Sequence, residues 1–129
     1  MVACTALGLG HLHNKSYLYR DLKPENLLLD TKGYVHIADF GLVKRLKNQE
    51  TAKTFCGTSE YIAPEVLLGK TYDWCADWWS LGILMYELLF NQIPFHHEDI
   101  QKMYSRIIGD ELKFPSRIKI SRECKNFIR

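Results

Sequence analysis

The sequence lacks the features that mark secreted, membrane-spanning and zinc-binding proteins. Its four cysteines are widely spaced and form no CxxC pair, so neither a disulfide framework nor a zinc site is expected. The first residues lack the basic start and apolar run of a signal peptide. The most apolar run, Trp78 to Phe90, is too short to cross a bilayer as a helix. These absences predict an intracellular, cytoplasmic protein without a membrane segment.

The charge balance argues against another class of partner. Lysines and arginines outnumber acidic residues by only two, which is too small an excess to attract nucleic acid. A hydrophobic content of 47% is ordinary for a globular protein, and 129 residues can build one core. We therefore expect residues 1–129 to belong to one domain that has no nucleic-acid partner.

The spacing of apolar residues predicts a mainly α chain with a small β-hairpin. Helices are expected over residues 2–14, 73–90 and 100–107, and after Ser121, which could cap a last helix. The stretch "LLLDTKGYVHI" is typical of two short strands around a glycine-containing turn. Residues 44–54 are polar and without periodicity, which predicts a mobile loop.

Polar side chains gather at both ends of the predicted hairpin. "YRDLKPEN" leads into it and "ADFG" follows it. Asn26 and Asp39 supply the hard oxygen ligands that Mg²⁺ prefers. Asp21 could accept a proton from a hydroxyl nucleophile, and Lys23 could neutralise charge on a phosphoryl group. Phosphoryl transfer needs this combination of metal clamp, carboxylate and cation.

In order and spacing, these motifs resemble the C-terminal lobe of a eukaryotic protein kinase. "YRDLKPEN" matches the catalytic loop, "DFG" the metal-binding turn, "APE" the end of the activation segment, and "DWWSLG" the start of the central helix. Tyr19, "TFCGTSEYIAPE" and "DWWSLGILMYELL" resemble the AGC group of Ser/Thr kinases, which includes protein kinases A, B and C. The implied fold is a partial kinase fold, and the implied activity is ATP-dependent phosphoryl transfer to Ser or Thr of proteins.

The resemblance implies roles for the residues around the hairpin. Asp21 would orient or deprotonate the substrate hydroxyl, and Lys23 would contact the γ-phosphate of ATP. Asn26 and Asp39 would hold magnesium, and Leu28 would form the floor under adenine.

The resemblance also implies roles in the activation segment. Thr54 would be phosphorylated by an upstream kinase, which adds about −1.5 to −2 charge. Arg20 and Lys44 would pair with that phosphate, although the basic run around Lys44 could also be only a solvated loop. Thr58 would touch the catalytic loop, and Ser59 stands where the family usually has proline.

Four further positions complete the implied site. Glu25 and Glu87 match positions that read an arginine in the substrate, so basic protein substrates are expected, although Glu87 could equally be a helix-face residue. Asp77 would brace the catalytic loop, and Glu65 would pair with an arginine beyond these residues. His13, with His11, is interpreted as structural.

One alternative function remains open at this point. In the family, ATP lies between two lobes, and the N-terminal lobe supplies a glycine-rich loop, a lysine and a glutamate that are not expected within this sequence. The chain could therefore be a catalytically inactive, truncated kinase lobe that acts as a protein-binding module. Phosphate transfer that is gained when the missing N-terminal lobe is added, and abolished by Asp21→Asn, would favour the enzyme, whereas partner binding unaffected by that change would favour the module.

Overall fold

A computed structural model describes residues 1–47 and 50–129. The helices are α1 (Val2–Asn14), α2 (Pro64–Leu67), α3 (Cys75–Phe90), α4 (Ile100–Gly109) and α5 (Arg122–Ile128). The strands are β1 (Tyr17–Leu18), β2 (Leu27–Leu29), β3 (Val35–Ile37) and β4 (Lys44–Arg45). The described chain is thus mostly helical with two small antiparallel sheets, β1–β4 and β2–β3.

Helix α3 is the central helix, and it confirms the helix predicted over residues 73–90. Most of its residues are apolar, and Leu81 and Leu84 are almost completely buried. The helix ends at Phe90 because Asn91 adopts a left-handed conformation, with φ 52°, which stops helix propagation. No helix within residues 1–47 and 50–129 is long and apolar enough to span a membrane.

The other predicted helices are also confirmed, and two of them begin at capping side chains. The Asp99 carboxylate accepts the backbone N–H groups of Gln101 and Lys102 at the start of α4. The Ser121 hydroxyl accepts the N–H of Cys124 at the start of α5. Each cap satisfies backbone donors that have no partner within the helix.

The predicted hairpin is confirmed as strands β2 and β3. Leu27 pairs with Ile37, and Leu29 pairs with Val35. The Asp30 carboxylate closes the turn by accepting the backbone N–H of Tyr34 at 2.9 Å. The hairpin therefore fixes the positions of the two polar motifs that flank it.

Residues 44–54, which were predicted as a mobile loop, contain regular strand pairing at three described positions. Lys44 and Arg45 form β4, which pairs with β1, and Ala52 forms an isolated bridge with Tyr72. Leu46 is only 2% exposed, so burial holds this part of the segment against the protein. Residues 48 and 49, which the same prediction covered, lie outside the described residues.

Among the residues that the structure describes, two hydrophobic clusters form the core. One joins α1, α3 and α4 around Leu9, Leu84 and Ile107, and the other lies around Leu18, Ile62 and Tyr72. Leu67 and Trp79 pack against both clusters. Leu18 belongs to one cluster and Tyr19 and Leu22 belong to the other, so both clusters hold the start of the polar motif in place.

Candidate active site

The loop "YRDLKPEN" leaves β1 and enters β2 in a tightly held conformation. Leu22 is fully buried, and Pro24 begins a 3₁₀ turn that ends at Asn26. Arg20 has a φ of 73°, a left-handed conformation that is costly for a residue with a side chain. Such a conformation persists only where surrounding contacts hold it, which marks the residue before Asp21 as tightly constrained.

Asp21, Lys23 and Thr58 form a hydrogen-bonded triangle. The Thr58 hydroxyl donates to Asp21 Oδ1 at 2.7 Å and accepts from Lys23 Nζ at 2.9 Å. Lys23 Nζ also lies 3.3 Å from Asp21 Oδ2. Burial alone would raise the pKa of Asp21, but the hydrogen bonds from Thr58 and Lys23 outweigh it and hold the pKa below its ordinary value. Asp21 is therefore an ionised carboxylate at neutral pH.

Asn26 and Asp39 are brought to the same edge of the hairpin. Ala38 N–H donates to the backbone oxygen of Asn26 at 2.8 Å, which places Asp39 one residue from that contact. The Asn26 amide nitrogen donates to Asp21 at its backbone oxygen and at Oδ2, so the Asn26 side-chain oxygen is the atom left to face a cation. Asp39 is exposed and has a φ of 54°.

Tyr19 connects this edge to the loop, a contact that the sequence analysis missed. Its hydroxyl donates to the Ala38 carbonyl oxygen, directly before Asp39. Burial, together with the negative charges of Asp21, Asp39 and Asp77, raises the pKa of Tyr19 to about 12. Tyr19 therefore stays protonated and can act as a permanent donor to the turn that carries Asp39.

Asp77 lies beneath the loop and is fully buried. Its carboxylate accepts the backbone N–H of Tyr19 and the backbone N–H of Arg20, each at 2.8 Å. His13 Nε2 also lies 2.7 Å from Asp77 Oδ2, a second contact that the sequence analysis missed. The partner of a histidine 64 positions away leaves no local pattern in the sequence.

Thr54 is exposed, and its backbone is tied to the protein through Tyr72. The Tyr72 hydroxyl donates to the Thr54 carbonyl oxygen at 2.6 Å. Burial raises the pKa of Tyr72, and the nearby Arg20 guanidinium opposes that shift. Arg20 and Thr54 are thus neighbours of the same tyrosine.

Lys44, the other cation expected near Thr54, contacts different groups. Its Nζ lies 3.6 Å from Glu50 Oε1 and 3.5 Å from the Thr51 carbonyl oxygen. Arg20 is oriented by its Nε, which donates to the Leu42 carbonyl oxygen at 2.6 Å. Of the two predicted cations, the structure brings only Arg20 to the tyrosine that holds Thr54.

The Tyr61 hydroxyl contacts one glutamate, and the charges of two others act on its pKa. That hydroxyl donates to Glu87, and its pKa is raised by burial, by this hydrogen bond, and by the charges of Glu87, Glu25 and Glu60. Glu25 and Glu87 were predicted from the sequence, whereas Glu60 was not. The resulting acidic cluster, defined as Glu25, Glu60 and Glu87, is suited to a cationic side chain.

Two predicted site residues lie away from these groups. Leu28 is on β2 with 57% of its surface exposed, opposite His36. Glu65 lines an apolar groove of about 590 Å³ between α3 and α5, beside Trp79 and Ile128.

Ser59, which stands where the resembling family usually has proline, lies next to Thr58. The Ser59 hydroxyl is 3.4 Å from the Tyr104 hydroxyl.

Comparison with known proteins identifies one family over the whole length of the chain. A family model described as the protein kinase domain matches residues 1–129. The chain is 50% identical over 116 residues to serine/threonine-protein kinase sgk-1 of Caenorhabditis elegans, covering 89% of this chain and 25% of that protein. It is 48% identical over 120 residues to protein kinase 2 of Dictyostelium discoideum, covering 93% and 25%. It is 46% identical over 123 residues to serine/threonine-protein kinase akt-1 of C. elegans, covering 95% and 22%. The chain thus spans about a quarter of the length of these relatives.

Proposed function

The chain belongs to the protein kinase family, in its AGC group of serine/threonine kinases, and we propose that it forms the substrate-binding, C-terminal lobe of such an enzyme. In this role it would take part in transferring the γ-phosphoryl group of ATP to a Ser or Thr hydroxyl of a protein. Residues 1–129 would be part of one kinase domain. The observation that carries this proposal is the hydrogen-bonded triangle of Asp21, Lys23 and Thr58.

The triangle supports the proposal because it places a carboxylate and a cation side by side. Asp21 is ionised and fixed, so it can orient a hydroxyl and accept its proton. Lys23 is held within reach of the same point, where it can stabilise negative charge on a transferring phosphoryl group. Thr58 fixes the relative position of the two through its hydroxyl.

The residues at the hairpin edge fit magnesium and ATP. Mg²⁺ is commonly held by one or two side-chain oxygens together with substrate phosphates and water, and Asn26 and Asp39 supply two such oxygens. When bound, Mg²⁺ would neutralise charge on the phosphates. The exposed apolar face of Leu28 would contact the adenine base.

The proposal extends to substrate and activation. The acidic cluster supports a protein substrate that carries arginine near the phosphorylated residue. Thr54 is exposed and would be phosphorylated by an upstream kinase. Arg20, which neighbours the same tyrosine as Thr54, would pair with the phosphate, and Lys44 would leave Glu50 to join it.

The first test is Mg²⁺–ATP binding by the purified chain, measured by calorimetry. Asp39→Ala should abolish the binding, whereas Asp110→Ala, which changes an exposed carboxylate at the end of α4, should not. Together with an N-terminal kinase lobe, the chain should transfer phosphate to an arginine-containing serine peptide, and Asp21→Asn should abolish that transfer. Transfer that survives Asp21→Asn would contradict the role of this carboxylate.

Peptide binding distinguishes the alternative function from the enzyme. A folded chain that binds no Mg²⁺–ATP, but binds basic peptides equally well with and without Asp21→Asn, would be a protein-binding module. The exposed apolar side chains of Leu28, Leu29 and Phe40, each more than half exposed, favour a surface that is covered by other protein.

A further inference from the structure

Two hydroxyl groups lie beside the hydrogen-bonded triangle. Ser59 follows Thr58 directly and begins the 3₁₀ turn Ser59–Tyr61. The Tyr104 hydroxyl donates to the Ser59 hydroxyl oxygen at 3.4 Å, which is long for such a bond, so the two groups hold each other only weakly. Because Ser59 accepts in this bond, its own O–H is still able to donate to a ligand. We call Ser59 and Tyr104 the hydroxyl pair.

The hydroxyl pair is half-buried, and helix α4 fixes the position of its tyrosine. On that helix Met103 and Ile107 are each only 3% exposed, so they anchor it in the core. The Tyr104 ring meets the Phe55 ring edge-on, with the two centroids 6.4 Å apart, and Phe55 is 59% exposed. The surface next to Thr58 therefore presents two hydroxyl groups beside an exposed aromatic ring.

This surface lies one residue from the place where the acceptor hydroxyl of a substrate would bind. Thr58 donates to Asp21 at 2.7 Å, and Asp21 is the carboxylate that would orient that hydroxyl. Consecutive Cα atoms of a trans chain are about 3.8 Å apart, in the substrate as in the segment that carries Thr58 and Ser59. A substrate that places its hydroxyl at Asp21 therefore brings one of the two flanking residues close to Ser59.

The serine gives this surface a different chemistry from that of the relatives. The protein kinase family usually has proline where this chain has Ser59, and proline carries neither a hydroxyl nor a backbone N–H. A polar side chain can replace the water that it displaces from the hydroxyl pair, because it offers hydrogen bonds of its own. An aliphatic side chain in the same place would remove that water without replacing its hydrogen bonds, which weakens binding.

We propose that Ser59 and Tyr104 select protein substrates in which a residue next to the phosphorylated Ser or Thr has a hydrogen-bonding side chain rather than an aliphatic one. This selection rests on the proposed function, because Asp21 marks the place of the acceptor hydroxyl. Two hydroxyls that only fastened the turn to α4 would make the same contact. The two roles differ in whether loss of a hydroxyl changes the choice between substrates or only the stability of the chain.

Peptide binding by the purified chain tests the selection. The peptides share an arginine and a serine, and they carry either asparagine or leucine, which have nearly the same shape, directly before or directly after the serine. At one of these positions, fluorescence anisotropy should give a Kd about tenfold lower for asparagine than for leucine. Ser59→Ala and Tyr104→Phe should each reduce that preference to about twofold or less. Ser105→Ala, which removes an exposed hydroxyl one residue along α4, is the matched control and should keep the preference.

Three results would overturn the proposal. They are equal Kd values for asparagine and leucine at both positions, a preference for leucine, and a preference for asparagine that both variants retain. A purely structural role predicts the last of these together with a lower unfolding free energy in urea denaturation. If Ser59→Ala does not fold, the comparison of Tyr104→Phe with wild type decides the matter, because that change removes only the hydroxyl and keeps the ring.

Phosphate transfer in the presence of an N-terminal kinase lobe separates this selection from the proposed function. The asparagine peptide should have a kcat/KM about tenfold higher than the leucine peptide, and Ser59→Ala should remove that difference. Transfer that does not discriminate between the two peptides would overturn the selection and leave the proposed function intact. If no peptide is phosphorylated, the proposed function fails, and the anisotropy titrations still decide whether the hydroxyl pair selects the peptides that the chain binds.

Discussion

At the scale of single residues, Thr58 lowers the pKa of Asp21 as well as fixing its position. Its hydroxyl is the largest of the contributions that lower the pKa of that carboxylate against the effect of burial. The pKa of Asp21 should therefore rise when the hydroxyl is removed, and the carboxylate should become protonated at a higher pH. The base would then be available over a narrower range on the acid side.

Thr58→Ala should lower kcat about tenfold and move the acid limb of the pH–rate profile to higher pH, because a hydrogen bond to a charged group is lost. Thr58→Ser keeps the hydroxyl and should behave nearly as the wild type. Steady-state kinetics of peptide phosphorylation from pH 4 to about 9 would measure both effects. An acid limb that stays in place in Thr58→Ala would contradict this account of the pKa of Asp21.

Gly57 packs against the backbone of the loop that carries Asp21. Its φ is 109°, and a Cβ at this position would lie 2.7 Å from the Arg20 carbonyl oxygen. Gly33 has a comparable φ of 87°, but a Cβ there would meet nothing within 4 Å. Gly57→Ala should thus lose more unfolding free energy than Gly33→Ala, whose left-handed backbone alone costs about 1 kcal/mol. If urea denaturation gave the same loss of unfolding free energy for both variants, the close contact at Gly57 would not contribute to the cost.

At the scale of elements, the helices and strands that could be predicted are those whose pattern lies within a short stretch of sequence. The α4 helix and the β2–β3 hairpin carry their patterns within ten or eleven residues, and both were predicted. Strands β1 and β4, which pair Tyr17 with Arg45, have only two residues each, and two residues are too few to show the alternation of a strand. The motifs located Asp21, Asn26 and Asp39, but the partners His13 and Glu60 were missed because only the tertiary fold brings them to the site.

Helix α3 should account for a large part of the stability, since it contacts both clusters. Leu84→Ala removes a fully buried side chain and should cost about 2–5 kcal/mol of unfolding free energy. Leu88→Ala, on the same helix but 43% exposed, should cost no more than about 1 kcal/mol. Urea denaturation followed by circular dichroism would give both values. A similar cost for both leucines would mean that α3 is not the central packing element.

At the scale of the whole molecule, the net charge and the acidic cluster have opposite signs. The chain carries 17 lysines and arginines against 15 acidic residues, a net charge of +2 that weakly repels basic peptides. Glu25, Glu60 and Glu87 nevertheless place negative charge around Tyr61. Affinity for a basic peptide must then come from this local field, which is short-ranged in salt.

Raising the ionic strength from about 0.05 to about 0.5 M shortens the screening length from about 14 to about 4 Å. The Kd for an arginine-containing peptide should therefore rise about tenfold, while the Kd for the same peptide with glutamine in place of arginine should change little.

Glu60→Gln removes one negative charge of the acidic cluster, so it should weaken binding of the arginine peptide and reduce the salt dependence of that binding. The change leaves the Tyr61–Glu87 hydrogen bond in place. Glu123→Gln, which changes an exposed glutamate on α5, is the matched control. Fluorescence anisotropy titrations would measure these constants. Equal affinities for the two peptides at low salt would contradict the preference for basic substrates. An unchanged salt dependence in Glu60→Gln would show that Glu25 and Glu87, and not Glu60, bind the arginine.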